Sequence, residues 1–484
     1  MTADPRTRWL ALIVLCLGTL MIVLDSTIVN VALPSIQDDL GFSAASLAWV
    51  VNAYLLTFGG CLLLGGRLGD LYGRRRLFVL GIALFTAASA CCGLAQTQET
   101  LIAARAVQGV GGAVASAVSL SLMMQLFTDP GERARAMGVF GFVASGGGSI
   151  GVLLGGILTD HLDWHWIFLV NLPIGVAVIA LSLRLLPGGG ARPGSRLDVA
   201  GAVTVTASLM LAVYGIVNGQ QDGWTSALTL DRLAGAVAMF ALFLIVESRV
   251  AEPLVRLSLF RRRNLATANA VAVLWAAAMF AWFFLSALYL QAVLGYTPLE
   301  VGLAFLPANI VMGALSIAVS ARLVMRFGIR RPMVVGLSLG AAGLALFARA
   351  PEGGNFLVDI LPSMTLLGIG AGIAFNPVLL AAMSDVSEDE AGLASGVVNT
   401  AFMMGGALGL AVLASTASAR TASLRSSGEG ALTALLGGYH LAFFAGALFA
   451  AAAAAVGGLL LRTGSAGPPP PEPDPERERV PVAV

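Results

Sequence analysis

The sequence predicts an all-α polytopic membrane protein of fourteen transmembrane helices, built as two six-helix halves plus two inserted central helices. Three observations lead there. Hydrophobic residues make up 57% of the 484 and charged residues only 11%, where soluble domains carry about 25% charged residues. Arginines crowd one alternate set of the segments between apolar runs. Two stretches from the first part of the chain recur in the second.

The apolar runs set the number of elements. A spanning helix needs about 20 apolar residues. Runs of that kind lie near 10–33, 46–66, 77–95, 101–127, 134–159, 165–186, 197–218, 231–248, 265–290, 298–321, 332–350, 356–383, 391–417 and 437–461. The first run follows Arg6 and Arg8 as the core of a signal peptide would. It continues past Asp25 to Leu33 without a small-residue cleavage site, so it is a retained span.

Orientation follows from the arginines, which are all of the 28 basic residues. With the N-terminus inside, the inner segments hold twenty-three of them and the outer segments four, and Arg105 lies within a run. That asymmetry puts both termini in the cytoplasm. The abundance of Ala, Gly and Arg suggests a GC-rich genome, and the expected location is the cytoplasmic (inner) membrane of a bacterium.

The repeat divides the chain. Arg67, Leu68, Gly73, Arg75 and Arg76 recur as Arg322, Leu323, Gly328, Arg330 and Arg331; Gly138, Gly147, Gly148 and Gly151 recur as Gly396, Gly405, Gly406 and Gly409. The first six runs therefore match the last six. The expected units are 1–187, a two-helix insertion at 188–252, the second half at 253–462, and a disordered cytoplasmic tail at 463–484 rich in Pro with alternating Arg and Glu. Paired six-helix halves form a transporter architecture with the site at their interface.

Several function classes drop out. The formal net charge is +1 and no basic stretch is interleaved with aromatic residues, which argues against a nucleic-acid partner. Cys16, Cys61, Cys91 and Cys92 sit in apolar runs without metal-ligand or disulfide spacing. No nucleophile–base pair or phosphate loop appears, and the Gly-rich runs lie inside spans, so neither an enzyme, a metal nor a cofactor is expected.

The chemistry concentrates in Leu24–Pro34. Asp25 follows Leu10 to Leu24, a stretch with no charge. A carboxylate within a span costs roughly 2.5–3.5 kcal/mol on insertion scales, and carboxylates taken out of water in general hold protons more readily. Asp25 is therefore a candidate proton carrier; the competing reading is a structural carboxylate at a helix end. Asn30 either faces the same cavity or caps the helix, and Pro34 is placed to close it. Arg105, about one turn into the fourth run, needs a partner or a wet cavity and falls at a depth similar to that of Asp25. Approach of a guanidinium favours the ionised carboxylate and withdrawal favours the protonated one. A hydrogen bond to backbone carbonyls is the alternative for Arg105. Candidate substrate-cavity residues are Asn30, Tyr54, Gln108, Tyr289, Gln291, Asn309 and Asn376, polar positions within otherwise apolar runs. Trp275, Phe280, Trp282, Phe283 and Phe284 fit either stacking against flat cations or packing against lipid.

The segment Gly66-Arg67-Leu68-Gly69-Asp70-Leu71-Tyr72-Gly73-Arg74-Arg75-Arg76 resembles the signature loop of the major facilitator superfamily. The resemblance implies a cytoplasmic gating role for Gly66, Asp70, Gly73 and Arg74. In the second copy Met325 stands where the acid would, so the latch is one-sided. In the same superfamily the arginine matching Arg105 is tied to proton coupling. Gly138, Gly147, Gly151, Gly155 and Gly156 are similar to the glycine motif of its antiporters, with Val152 in place of the usual proline. The stretch Trp164-His165-Trp166-Ile167-Phe168-Leu169-Val170-Asn171-Leu172-Pro173-Ile174-Gly175 looks like that of the fourteen-helix drug:proton antiporters, with His165 where Arg is usual. Gly223-Trp224, Leu259-Phe260-Arg261 and Gly295-Tyr296-Thr297-Pro298 match the same branch. Asp198 and Glu247, at the ends of the inserted runs, are expected at the membrane interface. The resemblance implies proton-driven efflux of amphipathic drugs or antibiotics by a monomer, its partners being that small substrate, protons and the lipid bilayer. Export or symport of an endogenous metabolite, or a transporter-like sensor, is the alternative.

Overall fold

The computed structural model describes residues 5–43, 45–127, 129–187, 198–250, 253–384, 386 and 388–462. The tail expected at 463–484 and the side chain of Asp70 lie outside the described residues, as do the junctions 188–197 and 251–252.

The described residues form α-helices and no strand. The helices are α1 (Pro5–Leu40), α2 (Trp49–Tyr72), α3 (Arg74–Gly93), α4 (Gln98–Leu126), α5 (Pro130–His161), α6 (Trp166–Leu169), α7 (Asn171–Leu185) and α8 (Val199–Asp222). They continue as α9 (Ala227–Arg249), α10 (Arg263–Ala292), α11 (Pro298–Ala318), α12 (Ser320–Phe327), α13 (Arg330–Phe347), α14 (Leu361–Met383), α15 (Glu388–Ser426) and α16 (Ala431–Leu460). Among the described residues, 12 helical segments are long and apolar enough to cross a membrane, α6 and α7 counting together as one. The remaining two expected positions are occupied by α5 and by α13, which opens on Arg330 and Arg331.

Local chemistry explains the boundaries. A single residue, Gly73, joins α2 to α3 at φ 91°, a region that favours glycine. Thr97 caps α4 by accepting the Thr100 N–H, and Thr297 with Glu300 forms a capping box at the start of α11, followed by Pro298. Pro34 does not close α1, as the sequence reading expected. The helix runs on to Leu40 with Pro34 inside it, as membrane helices tolerate proline where neighbouring groups satisfy the freed carbonyl. With Val152 rather than proline, α5 runs unbroken from Pro130 to His161.

The packing has two-fold regularity. In the first half α1 lies on α5 and α7, α3 on α4 and α7, and α2 on α4. In the second, α10 lies on α15 and α16, α13 on α14 and α16, and α11 on α14. The halves meet mainly along two seams, α2 against α15 and α5 against α11, with α1 also touching α10, and the correspondence exchanges one seam for the other. The pair α8–α9 packs against α2 and α15 through α8. Glycines make equivalent contacts in both halves. A Cβ on Gly81 would stand 2.7 Å from the Ala115 nitrogen, and one on Gly336 would stand 2.7 Å from the Gly370 oxygen. Gly151 rests on Leu24 of α1, and its copy Gly409 rests on Ala277 of α10. Close small-residue contacts of this kind hold helices together where lipid supplies no hydrophobic drive.

Candidate functional site

The first half encloses a polar network that no solvent reaches. Asp25 and Arg105 are both 0% exposed. Arg105 Nη1 lies 2.5 Å from Asp25 Oδ2. The other carboxylate oxygen, Oδ1, accepts from Gln108 Nε2 at 2.7 Å and from Asn171 Nδ2 at 3.2 Å. Arg105 Nε donates to the Val50 carbonyl at 2.9 Å, and its Nη1 also reaches Gln108 Oε1 at 2.7 Å. Ser89 Oγ accepts from Gln108 at 3.2 Å and from Asn171 at 3.0 Å, and donates to the Phe168 carbonyl at 2.9 Å. The Tyr54 ring lies 4.4 Å from the guanidinium carbon and the Phe168 ring 5.6 Å from it.

Four elements position these groups. Asp25 comes from α1, Arg105 and Gln108 from α4, Ser89 from α3 and Asn171 from the start of α7. Arg105 and Gln108 are three apart, so one helix face presents both. Trp164 fixes the approach to α7 through an Nε1 donation of 3.0 Å to Asp39 near the end of α1. Removing either charge alone would strand the other in a dry interior. Sequence reasoning paired Asp25 with Arg105 by depth but gave no role to Asn171 or Ser89. Asn171 was visible as the one amide of the Trp164–Gly175 stretch; Ser89 carried no signal.

The comparisons agree with the architecture. Residues 15–410 match the Major Facilitator Superfamily. This chain belongs to that superfamily. As a member it is a membrane transporter rather than an enzyme. It is 41% identical over 424 residues to the puromycin resistance protein of Streptomyces alboniger, spanning 87% of this chain and 84% of that protein. It is 39% identical over 416 residues to the cephamycin export protein of Amycolatopsis lactamdurans, spanning 85% of each. The solved structure of an auto-inhibited peptide transporter of the POT family matches with a TM-score of 0.67 at 17% identity, covering 96% of this chain and 99% of that one, a likeness of fold.

The remaining residues singled out in the sequence of this superfamily member do not gather at one place. Asn30 donates to the carbonyls of Thr27 and Ser26 in its own helix. Tyr289 donates to the Pro351 carbonyl at 2.7 Å, and Asn376 to the Ser316 carbonyl at 2.9 Å. Gln291 Nε2 ties the halves together through the Val31 carbonyl at 2.9 Å. Asn309 is buried with its Nδ2 unpartnered among the described residues. The aromatic group of α10 is not lipid-facing: Trp275, Trp282, Phe283 and Phe284 are buried within the protein, and Phe283 stacks on Phe305. Phe280 faces Phe402 of α15.

In the signature segment Gly69 packs on Val118 of α4, whereas Gly66 faces open space and supports no close helix approach. Gly73 turns the chain so that Arg74 opens α3. Of the α5 glycines, Gly147, Gly151 and Gly155 lie on Leu20, Leu24 and Ile28 of α1. Gly156 meets the Pro298 backbone across the α5–α11 seam, and Gly138 has no neighbour within 4 Å of a built Cβ. Asp198 and Glu247 lie at the ends of α8 and α9, and both are buried within the protein. They are 4% and 3% exposed, and the segment after α9 folds back onto Glu247 through the Val255 N–H.

Proposed function

We propose that this transporter expels an amphipathic drug or antibiotic from a bacterial cell in exchange for protons moving inward. The supporting observation is the buried Asp25–Arg105 pair, an ionic centre inside an otherwise apolar bundle and connected to three helices. The names of the relatives at 41% and 39% identity, a puromycin resistance protein and a cephamycin export protein, set the class of compound.

In this reading Asp25 is the proton carrier. While Arg105 holds Oδ2, the carboxylate stays ionised, and Gln108 and Asn171 hold Oδ1 in place. A shift of α4 relative to α1 withdraws the guanidinium and leaves two neutral amides, and the carboxyl then takes a proton from the outer side. Return of Arg105 expels the proton inward. Gly66, Asp70, Gly73 and Arg74 form the gate on the cytoplasmic side, and the glycine seam of α5 lets that helix slide on α1. Asn309 and the α10 aromatic residues beside Phe402 contribute to the substrate path. With α5 and α13 also crossing, the spans number fourteen, both termini are cytoplasmic, and the units are 1–187, 188–252, 253–462 and 463–484. This corresponds to the fourteen-helix drug:proton antiporter branch, working as a monomer in the inner membrane.

The test is reconstitution in liposomes with a trapped pH dye, an imposed pH gradient, and lipophilic cations and antibiotics added in turn. Compound-dependent proton movement is expected in the unsubstituted protein and absent in Asp25→Asn. Compound movement with no proton signal in either protein would sink the coupling role of Asp25.

A further inference from the structure

The inserted hairpin carries a second pair of buried acids that the network around Asp25 does not touch. Asp198 is the N-cap of α8, and its Oδ1 accepts the Gly201 N–H at 2.7 Å. Glu247 lies in the last turns of α9, and its Oε2 accepts the Val255 N–H at 3.2 Å. Each carboxylate is thus half satisfied by backbone. Asp198 Oδ2 and Glu247 Oε1 are both buried and without a hydrogen-bond partner. Both aim at one spot: a Cβ built on Gly201 would stand 2.6 Å from Asp198 Oδ2 and 2.7 Å from Glu247 Oε1.

Two ionised carboxylates converging in a dry pocket repel each other, and neither orphan oxygen can donate to the other. One proton resolves both defects, because it turns one oxygen into a donor and leaves the other as its acceptor. The nearby cation is Arg67 of α2, which influences Glu247 electrostatically and donates to the Pro253 carbonyl at 3.2 Å. Among the described residues, Asp198 and Arg67 are charged groups that act on Glu247. Pro253, Leu254 and Val255 form the strap between α9 and the second half, and Arg67 is the second residue of the signature segment.

We propose that Asp198 and Glu247 share one proton, making a second proton-binding site at the Gly73 end of the bundle. The site joins the inserted hairpin, the strap into the second half and the Arg67 segment. Loss of its proton adds a negative charge beside Arg67 and tightens that junction, so the gate end responds to the pH of the compartment it faces.

The measurement is infrared absorption of protonated carboxyl groups in the purified protein near neutral pH, where ordinary exposed carboxyls are ionised. A protonated-carboxyl band is expected in the unsubstituted protein. Glu247→Gln and Asp198→Asn should each remove a component of it, since an amide at either position donates to the remaining carboxylate. Asp25→Asn should leave that component in place. No such band in the unsubstituted protein overturns the proposal without any variant having to fold. A band unchanged in both Glu247→Gln and Asp198→Asn overturns it as well. Failure of the Asp25 coupling reading would show as compound movement without proton movement in the unsubstituted protein and would not alter this component.

Discussion

The two halves share their helix contacts and differ in what fills them. Gly81 meets Gly111 and Ala115 as Gly336 meets Gly370 and Ala374, and Gly151 rests on Leu24 as Gly409 rests on Ala277. Carried along those correspondences, Asp25 falls at Ala278, Arg105 at Met364 and Gln108 at Leu367. All three second-half residues are buried and apolar. One scaffold therefore exists in two versions, one with an ionic centre and one without. The difference teaches that the helix packing does not require the charges. Arg105 and Asp25 are an addition to a frame that closes equally well over methionine and alanine.

That comparison can be broken most forcefully at Arg105. Arg105→Met imports the second-half residue alone and leaves Asp25 buried with amide donors only. It should cost about 3–5 kcal/mol, the range for stranding one member of a buried pair. Thermal unfolding in detergent reads this, and an unchanged melting temperature would mean that water reaches Asp25. The glycine seam comes next. Gly151→Ala presses a Cβ to 2.8 Å from the Leu24 carbonyl and should cost about 1–3 kcal/mol. Gly138→Ala in the same helix meets nothing within 4 Å and should gain about 0.5–1 kcal/mol. Equal effects at the two positions would remove the seam from the account. The smallest stability change belongs to the full transplant, Asp25→Ala with Arg105→Met and Gln108→Leu. Replacing a buried ion pair as a set is often neutral or stabilising, so the triple variant should melt within a few degrees of the parent while compound-driven proton movement disappears.

Much of this frame could be read from the residues. The repeat was visible because the same glycines and arginines are needed wherever the same helices touch or turn. Asp25 and Arg105 were visible because a charge in an apolar run has few inexpensive explanations. Ser89 and Asn171 were not, since a neutral polar side chain in a helix can satisfy itself on its own backbone, as Asn30 does with the Thr27 carbonyl. Only the register of α3 and α7 against α1 separates the two fates. The same ambiguity scattered the expected cavity residues: Tyr54 and Gln108 joined the ionic centre, and Tyr289 and Asn376 found carbonyls elsewhere. Asp198 and Glu247 looked interfacial because they end their runs. The strap at Pro253–Val255 bonds to Glu247 and helps to bury it, and the path of that strap is not encoded by the local sequence.

The hairpin α8–α9 lies against α2 and α15 and leaves the other seam, α5 against α11, without such a cover. The two seams are equivalent by descent from the repeat but not by surroundings. Seen along the membrane normal, the molecule has a front and a back. A neighbour or a lipid-dissolved compound approaching from one side meets the junction of the halves, and from the other meets a two-helix wall.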